Sequence, residues 1–132
     1  MAVKMPLGNI VLVRQVPDKQ GGNHKDRFVV LVRDYNEGDT HIAGVAITGS
    51  FNLPLPNTSV KMTWRKDGRC RTGLNKSCVA DCTWSVVATP ADIVKRQGFT
   101  PPLELAAIIQ AVQPLLQPPP APPAGQQGST GS

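Results

Sequence analysis

Two short apolar runs in this sequence end in side chains that can do chemistry. Phe28-Val29-Val30-Leu31-Val32 is preceded by Arg27, and Ile42-Ala43-Gly44-Val45-Ala46-Ile47 is followed by Thr48. Both runs are rich in β-branched residues and too short for helices, so they read as buried strands. Asn36-Glu37-Gly38-Asp39 between them carries the turn residues of a hairpin loop. In an antiparallel pair, Arg27 at the start of one strand and Thr48 at the end of the other share one edge. That places a guanidinium and a hydroxyl together on one rim. The guanidinium offers a fixed fork of donors that matches phosphate oxygens, and the hydroxyl can donate to a non-bridging oxygen. The plain structural alternatives are a surface ion pair of Arg27 with Asp26 or Asp34 and a simple strand-end hydroxyl for Thr48.

The remaining chemistry is scattered. His24 and His41 are the two histidines. Imidazole is the usual proton shuttle, and His24, with Lys25 beside it, lies close in sequence to Arg27; the alternatives are an exposed loop histidine and, for His41, a structural one. Cationic residues cluster at Lys61, Arg65, Lys66, Arg69, Arg71 and Lys76, opposed only by Asp67. Such a patch suits a nucleic acid or an acidic protein segment, or is a solvated basic hairpin. Trp64 and Trp84 are candidates for stacking on bases, although tryptophans in strands more often serve the core or an interface. Cys70, Cys78 and Cys82 are odd in number, without a second pair or nearby histidines to complete a zinc site. No metal and no cofactor are expected.

The elements that must position these groups belong to a small domain. The chain has 132 residues, 14.1 kDa, a formal net charge of +5 and a pI near 9.5. That is room for one modest core and favours an anionic partner. Gly8 to Val13 alternates as a first strand that ends at Val16-Pro17, and Asp18 to Asp26, polar and Gly-rich, reads as a long mobile loop where a binding lid would sit. Asn52 to Asn57 is a proline-punctuated connection. Val60 to Trp64, Cys78 to Ala80 and Trp84 to Val87 are further strand segments, which together point to a small barrel. Thr89-Pro90 predicts a short helix from Pro90 to Gln97 closed by Gly98. A second helix runs through Leu103 to Val112, apolar over much of its circumference, with Pro114 limiting it. Residues 1–116 are the expected domain and 117–132 a disordered Pro/Gly/Ser-rich tail. No run reaches membrane-spanning length and none reads as an export signal, so a reducing cytoplasm is expected.

Taken together, the Gly8-to-Val13 strand, the Gly-rich loop, Arg27 opening an apolar strand, Ile42 to Ile47 ending in Thr48-Gly49-Ser50, Gly73-Leu74-Asn75-Lys76-Ser77 and the late helix resemble the MazF/PemK family of toxins from bacterial toxin–antitoxin pairs. The resemblance covers roughly Gly8 to Val112. It implies a mainly β fold with C-terminal helices, an SH3-like β-barrel, a homodimer, and an endoribonuclease that cuts single-stranded RNA without a metal and is neutralised by a cognate antitoxin. The family's catalytic arginine falls on Arg27 and its threonine or serine on Thr48. RNA contacts are expected from His24, Lys25, Ser50, Lys61, Arg65, Arg69, Arg71 and Lys76. The chain departs from the family at Asn9, where an acidic residue is usual, at Phe28, where proline is usual, and at Gly49, which splits a Thr-Ser pair. Two alternatives stand beside this reading: a non-catalytic, gyrase-poisoning toxin of the same fold, and a catalytically inactive binding module.

Overall fold

A computed structural model describes residues 3–116; the expected tail, 117–132, lies outside the described residues. The strands are β1 (Val3–Met5), β2 (Asn9–Pro17), β3 (His24–Leu31), β4 (Tyr35–Asn36), β5 (Ile42–Thr48), β6 (Ser59–Lys61), β7 (Val79–Ala88) and β8 (Ile93–Phe99), followed by one α-helix, α1 (Pro102–Leu116). Six strands form an antiparallel sheet in the order β6-β7-β5-β3-β2-β8, and β1 pairs with β4 apart from it. The sheet curls: β2 and β7 have β3 and β5 between them, yet both line one cavity of about 230 Å³. The result is a mainly β half-barrel.

Period-two alternation divides the side chains between two cores. Val30, Val45 and Ile47 face one side, where Ile108 and Val112 of α1 cover them. Val29, Leu31, Ile42 and Ala46 face the other, together with Val11, Val13 and Val86, inside the curl. Burial on both faces explains why these strands read as near-continuous apolar runs. β5 also lies hard against β3: a Cβ on Gly44 would sit 2.4 Å from the Val30 carbonyl oxygen.

Four expectations need correction. The helix expected over Pro90 to Gln97 is a single 3-10 turn, Pro90–Asp92, followed by strand β8. The capping signal is real, since Asp92 Oδ2 accepts from the Thr89 N–H at 3.3 Å and from its hydroxyl at 3.0 Å. Pairing of Ile93–Phe99 with β2 then outweighs the local helical preference. Gly98 does not cap a helix. It lets another backbone approach, because a Cβ there would meet the Thr72 and Arg71 carbonyl oxygens at 2.4 and 2.5 Å.

Secondly, the expected long loop from Asp18 to Asp26 is shorter, because β3 already begins at His24. It closes as a tight turn in which the Asp18 N–H donates to the Asn23 carbonyl at 2.8 Å and the Gly21 N–H to the Asp18 carbonyl at 2.7 Å. Thirdly, the strand expected through Trp64 stops at Lys61. There Glu104 of α1 takes the chain over, its Oε1 accepting the Thr63 N–H at 2.9 Å and its Oε2 the Thr63 hydroxyl. Fourthly, α1 continues through Pro114 to Leu116. Among the described residues no helix is long and apolar enough to cross a membrane.

The packing predicts a mutational cost. Ile108, fully buried beneath the sheet, should lose roughly 2–5 kcal/mol on replacement by alanine, read as a lowered urea midpoint with an unchanged slope. A loss under 0.5 kcal/mol would contradict the docking of α1.

Candidate active site

The antiparallel register that pairs Val29 with Ala46 and Val30 with Val45 carries on toward Arg27 and Thr48. Because Arg27 follows the alternation of Val29 and Leu31, and Thr48 that of Ala46, both project on the face of the second core, at its open end. There they line one cleft of about 630 Å³ with Lys25 and Ser50. The sequence reading of a shared rim holds, and the cleft gives it depth: the Arg27 side chain is only 11 % exposed.

Two neighbours hold Arg27. Its Nη2 donates to the Asp18 carboxylate from the β2–β3 turn, and the guanidinium carbon lies 4.7 Å from the centroid of the Trp84 ring. Among the described residues its Nε is buried without a hydrogen-bond partner. Neither Asp26 nor Asp34 pairs with Arg27: Asp26 accepts the Gln15 N–H at 3.2 Å and Asp34 the Leu7 N–H at 2.9 Å. Thr48 closes a small turn, its Oγ1 accepting the Ser50 N–H at 3.1 Å. Its hydrogen is directed to the Ser50 carbonyl at 3.4 Å, a long bond that a ligand oxygen can displace.

The next residue of the same turn repeats the device with opposite sign. Lys19 Nζ lies 2.9 Å from Asp81 Oδ2, while Asp81 Oδ1 accepts from the Thr83 N–H at 3.0 Å and hydroxyl at 2.7 Å. Burial would raise the Asp81 carboxyl, but the Thr83 and Lys19 hydrogen bonds and the Lys19 charge hold it below its ordinary value. Asp18 and Lys19 therefore pin the turn across the cleft by two ion pairs.

The other expected contact residues are distributed elsewhere. His24 opens β3 opposite Pro17, next to Lys25, but does not itself line the cleft. Arg65 and Lys66 line a separate open groove of about 540 Å³ with Trp64, and Arg65 Nε is 3.7 Å from Asp67 Oδ1. The Arg69 N–H donates to Asp67, and the Arg71 guanidinium carbon lies 5.5 Å from the Phe99 ring centroid. Lys61 lies 5.8 Å from the Phe51 ring and lines a groove against α1. Lys76 precedes Ser77, whose carbonyl oxygen is 3.7 Å from where a Gly49 Cβ would stand, so it flanks the Thr48 end. Among the departures, Asn9 is buried with its amide on the Pro6 carbonyl at 2.8 Å, and Phe28 packs on the first core. Both serve the fold.

Asp18, Lys19 and Asp81 were not singled out by sequence reasoning. Asp81 did leave a signal, a lone charge after the apolar Val79-Ala80. Asp18 and Lys19 left none beyond membership of a polar loop.

Two measurements follow. Asp18→Asn removes the anion that competes for Arg27, so affinity for a single-stranded oligonucleotide at fixed salt should rise about threefold to tenfold; unchanged or weaker binding would contradict the competition. Carboxyl ¹³C NMR should find Asp81 titrating below 3.8, with Lys19→Ala moving its midpoint upward. Because the folded pKa is depressed, the associated stability is present at neutral pH and is lost as pH falls through that midpoint.

No protein-family model matches the sequence, and no curated protein matches it significantly. Solved structures do. The Mycobacterium tuberculosis toxin MazF-mt6 superposes with a TM-score of 0.55 at 19 % identity, covering 77 % of this chain and 91 % of that one. An endoribonuclease in complex with its cognate antitoxin from a mycobacterial species gives 0.58 at 15 %, covering 87 % and 98 %. The MazE-MazF complex of Deinococcus radiodurans gives 0.58 at 14 %, covering 88 % and 97 %. At such identities the likeness is one of architecture, and it spans nearly the whole of each neighbour: this chain is built on the fold of the MazF toxins.

Proposed function

We propose that this chain is the toxin of a toxin–antitoxin pair and acts as an endoribonuclease on single-stranded RNA without a metal. The observation that carries the reading is the meeting of Arg27 and Thr48 in one cleft, on the fold whose solved examples include endoribonucleases. The half-barrel is read as SH3-like and the working unit as a homodimer in the cytoplasm. Leu103 on the outer side of α1, 88 % exposed, suits contact with a second copy.

In this mechanism the RNA phosphate displaces Asp18 from Arg27. The ribose 2′-hydroxyl attacks the adjacent phosphorus, the P–O5′ bond breaks, and a 2′,3′-cyclic phosphate and a 5′-hydroxyl result. Arg27 donates to the non-bridging oxygens, most strongly when negative charge builds on them. Thr48 turns its hydroxyl hydrogen from the Ser50 carbonyl to the same group and holds it in line for attack. Lys19 and Lys25, in the cleft, attract the flanking phosphates, with Lys76 at the Thr48 end. The attacking hydroxyl loses its proton to water in the open cleft, and the leaving oxygen gains one there. A partner with an acidic, disordered segment would reach the same cations and exclude RNA, as befits the antitoxin.

The purified protein should cleave single-stranded RNA in excess chelator and leave cyclic-phosphate and 5′-hydroxyl ends. Arg27→Ala and Thr48→Ala should each lower kcat by about 10²–10³ without shifting the melting midpoint by more than a few degrees. Arg27→Lys should stay well below wild type, since an ammonium lacks the fork. RNA left intact by the wild-type protein, or cut at full rate by Arg27→Ala, would contradict the proposal.

A further inference from the structure

The aromatic neighbour of Arg27 is placed by an irregularity in β7. Ala46 stands opposite Asp81 and Val45 opposite Ser85, so one step along β5 is matched by four along β7. The additional residues are odd in number, and an odd excursion inverts the period-two alternation of the strand. Ala80 and Cys82 face the first core. Continued regularly, that alternation would send Trp84 there as well. Instead Trp84 and Val86 emerge on the second face, Val86 in its core and Trp84 at its rim. The ring stays half-buried, shared between the core and the cleft, with the Arg27 guanidinium 4.7 Å from its centroid.

We infer that Trp84 is a positioning residue for Arg27, and that the excursion in β7 serves to bring its indole beneath the guanidinium. The inference deepens the reading of the cleft as a phosphodiester-cleaving site and rests on it for its catalytic consequence. A guanidinium whose carbon lies 4.7 Å from an aromatic centroid is attracted to the ring face, which restricts how far its N–H groups can swing. One edge is taken by Asp18. Nε, buried and unpartnered, is held on the planar group with no acceptor of its own. When Asp18 gives way, a phosphate meets a fork that the ring still holds in place. Asp18 could not provide this, because it competes with the ligand and must leave.

The test compares Trp84→Phe, which keeps a smaller aromatic face, with Trp84→Leu, which keeps apolar bulk and removes the face. Thermal melts identify any variant that has lost its fold. The first readout needs no RNA: ¹⁵N relaxation of the Arg27 Nε–H should show an ordered group in wild type and Trp84→Phe and a mobile one in Trp84→Leu. Equal order in a folded Trp84→Leu would overturn the inference. The second is cleavage, where Trp84→Leu should lose about tenfold to hundredfold in kcat with KM changed less than about threefold, and Trp84→Phe should recover most of it. A loss confined to KM, or Phe no better than Leu, would also overturn it. Should the wild type show an ordered Arg27 that loosens in Trp84→Leu, yet cut no RNA, the proposed function fails while the positioning role stands.

Discussion

A charged arginine held almost entirely out of water is the constraint on which the rest of this structure depends. Burying a guanidinium without compensation costs several kcal/mol, while one exposed ion pair returns about 0–1 kcal/mol and a cation–π contact about 0.5–2 kcal/mol. No single neighbour suffices, so Arg27 has two: the Asp18 carboxylate along one edge and the Trp84 ring against its face. The compensation is incomplete, since Nε remains unpartnered. An anion that replaced Asp18 and also reached Nε would complete it, which is how a stability requirement becomes a binding preference.

The sheet is shaped around this requirement at two places. In β2 the pairing with β3 shifts between Val13 and Val16, and Gln15 adopts a φ of +55°, rare for a residue with a side chain. This lets Val16 return to the second core while β2 leads on to the turn that carries Asp18 and Lys19. In β7 the longer excursion turns Trp84 toward Arg27. Between these irregularities β3 and β5 run regularly and supply Arg27 and Thr48. The most regular strands carry the reactive groups, and the irregular ones deliver their supports.

What was legible in the sequence follows the same division. The apolar runs of β3 and β5, their hairpin relation and the shared rim of Arg27 and Thr48 were legible because period-two patterning and strand ends are local properties. The C-terminal helix was legible from its periodicity. Strand β8 was not: Thr89, Pro90 and Asp92 make a true cap, and only pairing with β2, more than seventy residues earlier, decides against a helix beyond it. Trp84 was visible as an aromatic residue but not as the partner of Arg27, because the parity of a strand cannot be read across an excursion. Most of the basic run lies outside the cleft, because its loop is tied down elsewhere: Thr72 Oγ1 donates to the Thr63 carbonyl at 2.6 Å, and Thr63 is held by Glu104.

The central claim, that the phosphate to be cleaved replaces Asp18 between Arg27 and Thr48, is tested most directly by a crystal structure with a single-stranded RNA made uncleavable by 2′-O-methylation. A phosphate within hydrogen-bonding distance of the Arg27 guanidinium and of Thr48 Oγ1, with the Asp18 carboxylate turned away and the Trp84 ring still beneath the arginine, is the predicted result. RNA lying along the Trp64, Arg65 and Lys66 groove, with the Arg27–Asp18 pair intact, would contradict the account.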